Sequence, residues 1–134
     1  MNTFVVRNTK QIADLSKRCT ATAITSVDQY RIGDVWYSAK GIAHGTHADE
    51  VRQANRYTFV KNDVIRINPL FEGVPINVQI VSIRAVEVAK LTDSDFAQLG
   101  YINVDDYTSD GGDIYGPRVW LMAIKPVVPG TDND

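Results

Sequence analysis

The stretch from Val78 to Tyr107 constrains this chain more than any other, because it carries three ordered signals in sequence. Val78 and Ile80 alternate in one phase, Val81 and Ile83 in the opposite one, and Val86 and Val88 shift phase again. A strand that changes face is usually bulged, and bulges bend a sheet. The pattern therefore predicts a long bent strand. A helix start follows. Thr92 is a good N-cap, Asp95 stands three residues later at capping-box spacing, and Leu91 and Phe96 occupy the positions of a hydrophobic staple. Gly100 supplies a left-handed stop, and a second short helical turn is expected before Tyr107. These signals specify structure, and none of them is a catalytic motif.

Around this stretch the chain reads in order as strands and turns. Thr3 to Val6 is a short strand, and Asn8 or Thr9 caps a helix whose buried face carries Ile12, Leu15 and Cys19. Thr20 and Thr22 alternate on a strand. Arg31 to Asp34 is a turn, and Val35 to Ser38 is a strand with Trp36 and Tyr37 on opposite faces. Residues 41–55 read as a loop and then a short helix around Asp49 to Asn55. Tyr57 to Val64 echoes Tyr30 to Val35, an aromatic followed by an Asp-containing turn and a strand, although the echo is too short to be a repeat. Asn68 to Pro75 is a turn-rich connector. Val119 to Ile124 is apolar on both faces and reads as a central strand, ended by Pro126 and followed by a frayed tail over 127–134.

The segment from Leu91-Thr92-Asp93 through Gly100-Tyr101, with the Tyr115-Gly116 turn and the Val119 to Ile124 strand, resembles the ASCH domain of the PUA-like superfamily. Upstream, Lys61-Asn62-Asp63 and the strand to Ile67 resemble the family's Lys-x-Gly-Asp turn, with Asn62 at the usual glycine. The Thr20/Thr22 strand is similar to a family motif of alternating threonines entered by a lysine. Here Cys19 stands at the lysine, Lys17 and Arg18 come one or two places early, and Ile24 replaces an arginine. The resemblance covers Tyr57 to Lys125 and implies an α+β fold. More narrowly, it implies a PUA-like small bent β-barrel with short helices on its flank, one domain over 1–126 with an insertion around 25–55.

The resemblance implies a nucleic-acid or modified-nucleoside binding protein, with RNA the favoured ligand. Its cleft would draw on Lys17, Arg18, Thr20, Thr22, Arg52 and Arg56, with Trp36 and Tyr101 as stacking aromatics. Charge is distributed consistently with that expectation: residues 1–61 carry nine Lys or Arg against five acids, and residues 62–134 carry five against eleven. An overall charge of −2 is nevertheless not a typical nucleic-acid signature. The alternative is a small amidohydrolase acting on N-acylated cytidine, with Thr20 or Thr22 as nucleophile and Lys17 as basic partner. The family's glutamate falls at Leu99, which cannot do acid–base work. A third reading is a protein-interaction module of a mobile element, acting through residues 25–55.

No cofactor is implied. His44 and His47 with Asp49 and Glu50 match no specific zinc spacing, so surface histidines are expected and no metal. A single cysteine points to a reducing compartment, and there is no leader-like start or long apolar run. A cytoplasmic protein away from the membrane is the expectation.

Overall fold

The structure is a computed structural model, and it describes residues 3–6, 20–24, 27–53, 57–69, 76–109 and 116–127. Two β-sheets and two short helices account for most of these residues, an α+β arrangement dominated by antiparallel pairing. The first sheet runs in the order β1 (Thr3–Val6), β8 (Val64–Pro69), β9 (Ile76–Glu87), β10 (Arg118–Pro126), β2 (Thr20–Ile24), with β5 (His47–Ala48) also paired to β9. The second runs β4 (Val35–Ser38), β3 (Gln29–Ile32), β6 (Glu50–Gln53), β7 (Tyr57–Val60). No closed barrel forms among the described residues. The helix expected from Asn8 or Thr9, with Cys19, lies outside them, as does Tyr115.

β9 is the expected long strand, and its register on β10 shifts once. Ala123 of β10 pairs with Ser82, but the next residue, Ile124, pairs with Ile80, so Val81 is an extra residue. On its other edge β9 pairs with β8 over Ile76 to Gln79 and with β5 over Ile83 and Arg84, so the bulge marks where it changes partner. The β7–β8 turn docks at the same place: the Asn62 amide donates to the Ile80 carbonyl at 2.8 Å, and the Ile80 amide donates to the Asp63 carbonyl at 2.9 Å. The second expected phase change is not a bulge. The register of β9 on β10 is unbroken from Ser82 to Glu87; Ala85 and Val86 are both buried because both faces are covered there, and Val88 belongs to a 3-10 turn, Val88–Lys90.

Two apolar cores meet at β10. Trp120, Met122 and Ile124 enter one with Ile24, Val51, Phe59, Ile65, Val78, Ile80 and Ile83, while Val119 and Leu121 enter the other with Val86 and the helices. Burial of alternate residues on opposite faces explains the unbroken apolar run and confirms β10 as a central strand. The second core is closed by α1 (Asp93–Gln98) and α2 (Val104–Ser109). The capping box is complete: the Thr92 hydroxyl accepts from the Asp95 amide, and the Asp95 carboxylate accepts from the Thr92 amide at 2.9 Å. Phe96 is buried with Leu91 packed against the same core, and Gly100 has φ 88 at the stop.

The expected strand Val35–Ser38 is β4, whereas residues 41–53 depart from the expected loop and helix. Glu50 to Gln53 is a strand, because it pairs with β3 on one side and β7 on the other. That double pairing, with Val51 fully buried, outweighs the helix preference of Glu, Arg and Gln. Residues 27–53 also share the first core: Ala48 and Val51 are buried in it, and Val27, Tyr30, Ala39 and Ile42 pack against it.

Candidate nucleic-acid interface

Strand alternation divides the second sheet into two faces. Tyr30, Tyr37, Val51 and Phe59 share the face turned to the first core, where Tyr30 stacks on Tyr37 with ring centroids 5.2 Å apart and lies 5.5 Å from Trp120. Gln29, Arg31, Trp36, Ser38, Glu50 and Arg52 fall on the opposite face by the same register. That outer face presents an indole and two guanidinium groups on three adjacent strands.

The two arginines are held differently. Arg31 is committed: its Nε donates to Glu50 Oε1 at 2.9 Å and its Nη1 to the Gly33 carbonyl at 2.6 Å. Arg52 has no carboxylate partner among the described residues. Its Nε donates to Gln29 Oε1 at 2.7 Å, its Nη2 reaches the same oxygen, and its guanidinium carbon lies 4.2 Å from the centroid of the Trp36 ring. A neutral amide aims the group without cancelling its charge, and the indole face adds a cation–π attraction. The result is a layered aromatic and cationic surface that is exposed at Arg52 and half-buried at Trp36.

Of the residues singled out in the sequence, only Trp36 and Arg52 are seen to meet. Thr20 and Thr22 lie on β2, in register with Ile124 and Met122, and their side chains fall outside the description. Lys17, Arg18 and Arg56 lie outside the described residues. Tyr101 does not offer a stacking face at the surface. It is buried in the second core, edge-on to Tyr107 at 5.3 Å, because the Gly100 stop turns the chain inward there. Leu99 is buried in that core as well.

A cavity of about 160 Å³ lies elsewhere, between the residues 39–44 and the paired ends of β9 and β10. Trp120, Ile42 and Ala39 contribute apolar walls, and His44, Glu87 and Arg118 line it as polar groups. These three are already engaged. His44 Nδ1 accepts from the Glu87 amide at 2.8 Å, and Arg118 donates to the Ile42 carbonyl at 3.3 Å. Glu87 pairs with Lys90 at 2.9 Å and more loosely with Arg118 at 3.6 Å. The Lys90 hydrogen bond and charge, with smaller contributions from Arg118 and His44, hold the Glu87 carboxyl below its ordinary value. Glu87 and Arg118 are opposite one another in the β9–β10 register but 31 positions apart in sequence, so no local motif announces them.

The histidine and acid cluster read in the loop separates in space. His47 is exposed in β5, opposite Arg84. The Asp49 carboxylate accepts from the Gly33 amide at 2.8 Å, and Glu50 pairs with Arg31. Comparison with protein-family models, with curated proteins and with solved structures finds no significant match. No helix among the described residues is long and apolar enough to cross a membrane.

Proposed function

We propose that this chain binds single-stranded nucleic acid, RNA in preference, on the outer face of the β4-β3-β6-β7 sheet, a surface that lies outside the segment resembling the ASCH domain. The observation that carries the reading is Arg52 layered on Trp36, with no carboxylate paired to it among the described residues. Bases stack on aromatic rings and on guanidinium planes alike, and a guanidinium held only by a neutral amide keeps its charge to attract the neighbouring phosphate. Gln29 fixes Arg52 through its amide oxygen. A modified nucleoside is the second ligand of this reading, with the Trp120-lined cavity as its place.

The test is a titration of labelled single-stranded RNA and DNA at two salt concentrations, with free cytidine and N-acylated cytidine in parallel. Binding that weakens with salt by a shallow slope, on the order of two to four counterions, supports the interface. Absence of binding to either strand at low salt removes it, and the interaction-module reading takes its place.

A further inference from the structure

We infer that the β4 edge is a pairing surface for a second copy of this chain, joining two four-stranded sheets into one across a two-fold axis at Trp36. Among the described residues β4 has a strand neighbour on one side only. Its sequence, Val-Trp-Tyr-Ser, carries no charge, no proline and no bulge in its pairing with β3, so only its short length of four residues limits an open edge. It is also apolar where it meets solvent. Val35 is 52% exposed, Tyr37 43%, and Ile32 across the hairpin 42%.

The register selects the partner. The Ala39 amide donates inward to the Asp28 carbonyl at 3.0 Å, so by alternation Tyr37 and Val35 also bond toward β3, and the main-chain groups of Trp36 and Ser38 face outward. Antiparallel pairing of two such edges about Trp36 joins the outward groups of Trp36 to those of Trp36 in the second copy. It sets Val35 of each chain opposite Tyr37 of the other, in the closer, non-hydrogen-bonded kind of pair. Tyr30 and Ile32 extend that row on both sides, giving an unbroken apolar strip across the axis. Asp34 faces Ser38 of the second copy at each end of the paired strands. Shifting the register by two residues sets Val35 against Ala39 and loses the match. The same strand thus fits itself, as an isologous contact requires. The inference stands apart from the nucleic-acid reading, but it would place two Trp36–Arg52 surfaces side by side on one face.

The experiment is sedimentation equilibrium over a concentration series on the full chain and three variants. Val35→Lys places a charge in the strip. Ser38→Pro removes an outward amide while sparing the bonds to β3. Ile102→Lys alters an apolar side chain, 76% exposed, in the link between α1 and α2, outside the β4 edge. The expected result is a reversible dimer for the wild type and Ile102→Lys, and monomers for folded Val35→Lys and Ser38→Pro. A wild type monomeric at every concentration, a dimer that survives both β4 changes, or masses beyond the dimer would each overturn the inference.

Discussion

Arg52 lies 4.2 Å from the Trp36 ring although their strands, β6 and β4, are not neighbours; β3 runs between them and supplies Gln29 as the anchor. The contact therefore spans the width of three strands. An exposed cation–π pair contributes about 0.5–1 kcal/mol, so Arg52→Ala should lower stability by no more than that and leave the fold intact. Urea denaturation of the variant checks this. A loss several times larger would mean Arg52 is structural rather than presented for binding.

The α1 cap should be worth about 1 kcal/mol, read as the loss on Thr92→Ala with little loss on Thr92→Ser. Its partner adds a pH dependence. Burial raises the Asp95 carboxyl, but hydrogen bonds from the Thr92 amide and hydroxyl and the Arg84 guanidinium outweigh it, leaving the group below its ordinary 3.8. A carboxyl lowered on folding stabilises above its unfolded value, and that contribution is lost as pH falls through the lower folded value. Stability should drop with acid below about pH 4, and Asp95→Asn should flatten that limb. An unchanged acid limb in Asp95→Asn would assign the drop to other carboxylates.

Much of the fold was legible because its signals are local. The capping box and the staple are spacings of a few residues, the Val81 bulge is a break in alternation, and the double-sided burial of β10 is an unbroken apolar run. The four-stranded sheet was harder to read. Residues 50–53 carry good helix formers, and their strand state depends on partners 20 positions upstream and a few downstream. The second phase shift in β9 was misread as a bulge because two buried faces and a register slip give the same apolar pattern. Trp36 and Arg52 were each legible as candidates, yet nothing in the sequence shows them in contact. Tyr101 was legible as an aromatic but not as one folded inward.

Asn62 has φ 77, the left-handed region, in the turn that docks on β9 at Ile80. Asn tolerates that region by local hydrogen bonding, whereas a β-branched residue does not. Asn62→Gly should be close to neutral, and Asn62→Val should cost about 1–2 kcal/mol. Equal costs for both would mean the side chain, rather than the backbone angle, is what matters at the docked turn.

Leu99 is 1% exposed among Phe96, Tyr101 and Tyr107, at the position to which the resemblance proposed from the sequence would assign a glutamate. With no carboxylate at that position, N-acylated cytidine should not turn over even at high enzyme concentration. Robust release of cytidine and the carboxylic acid, lost in Thr20→Ala or Thr22→Ala, would restore the enzyme reading and name its nucleophile.

The most direct test of the central claim is the affinity of Trp36→Ala for single-stranded RNA, measured by anisotropy beside the wild type, Arg52→Ala and the double change Lys90→Ala with Lys125→Ala. Loss of a stacked base costs about 1–3 kcal/mol, so the account predicts affinity reduced roughly five- to 150-fold in Trp36→Ala. Arg52→Ala should weaken binding and flatten its salt dependence. The lysine pair, in the acidic half of the chain, should bind as the wild type does. Wild-type affinity in both Trp36→Ala and Arg52→Ala would contradict the account.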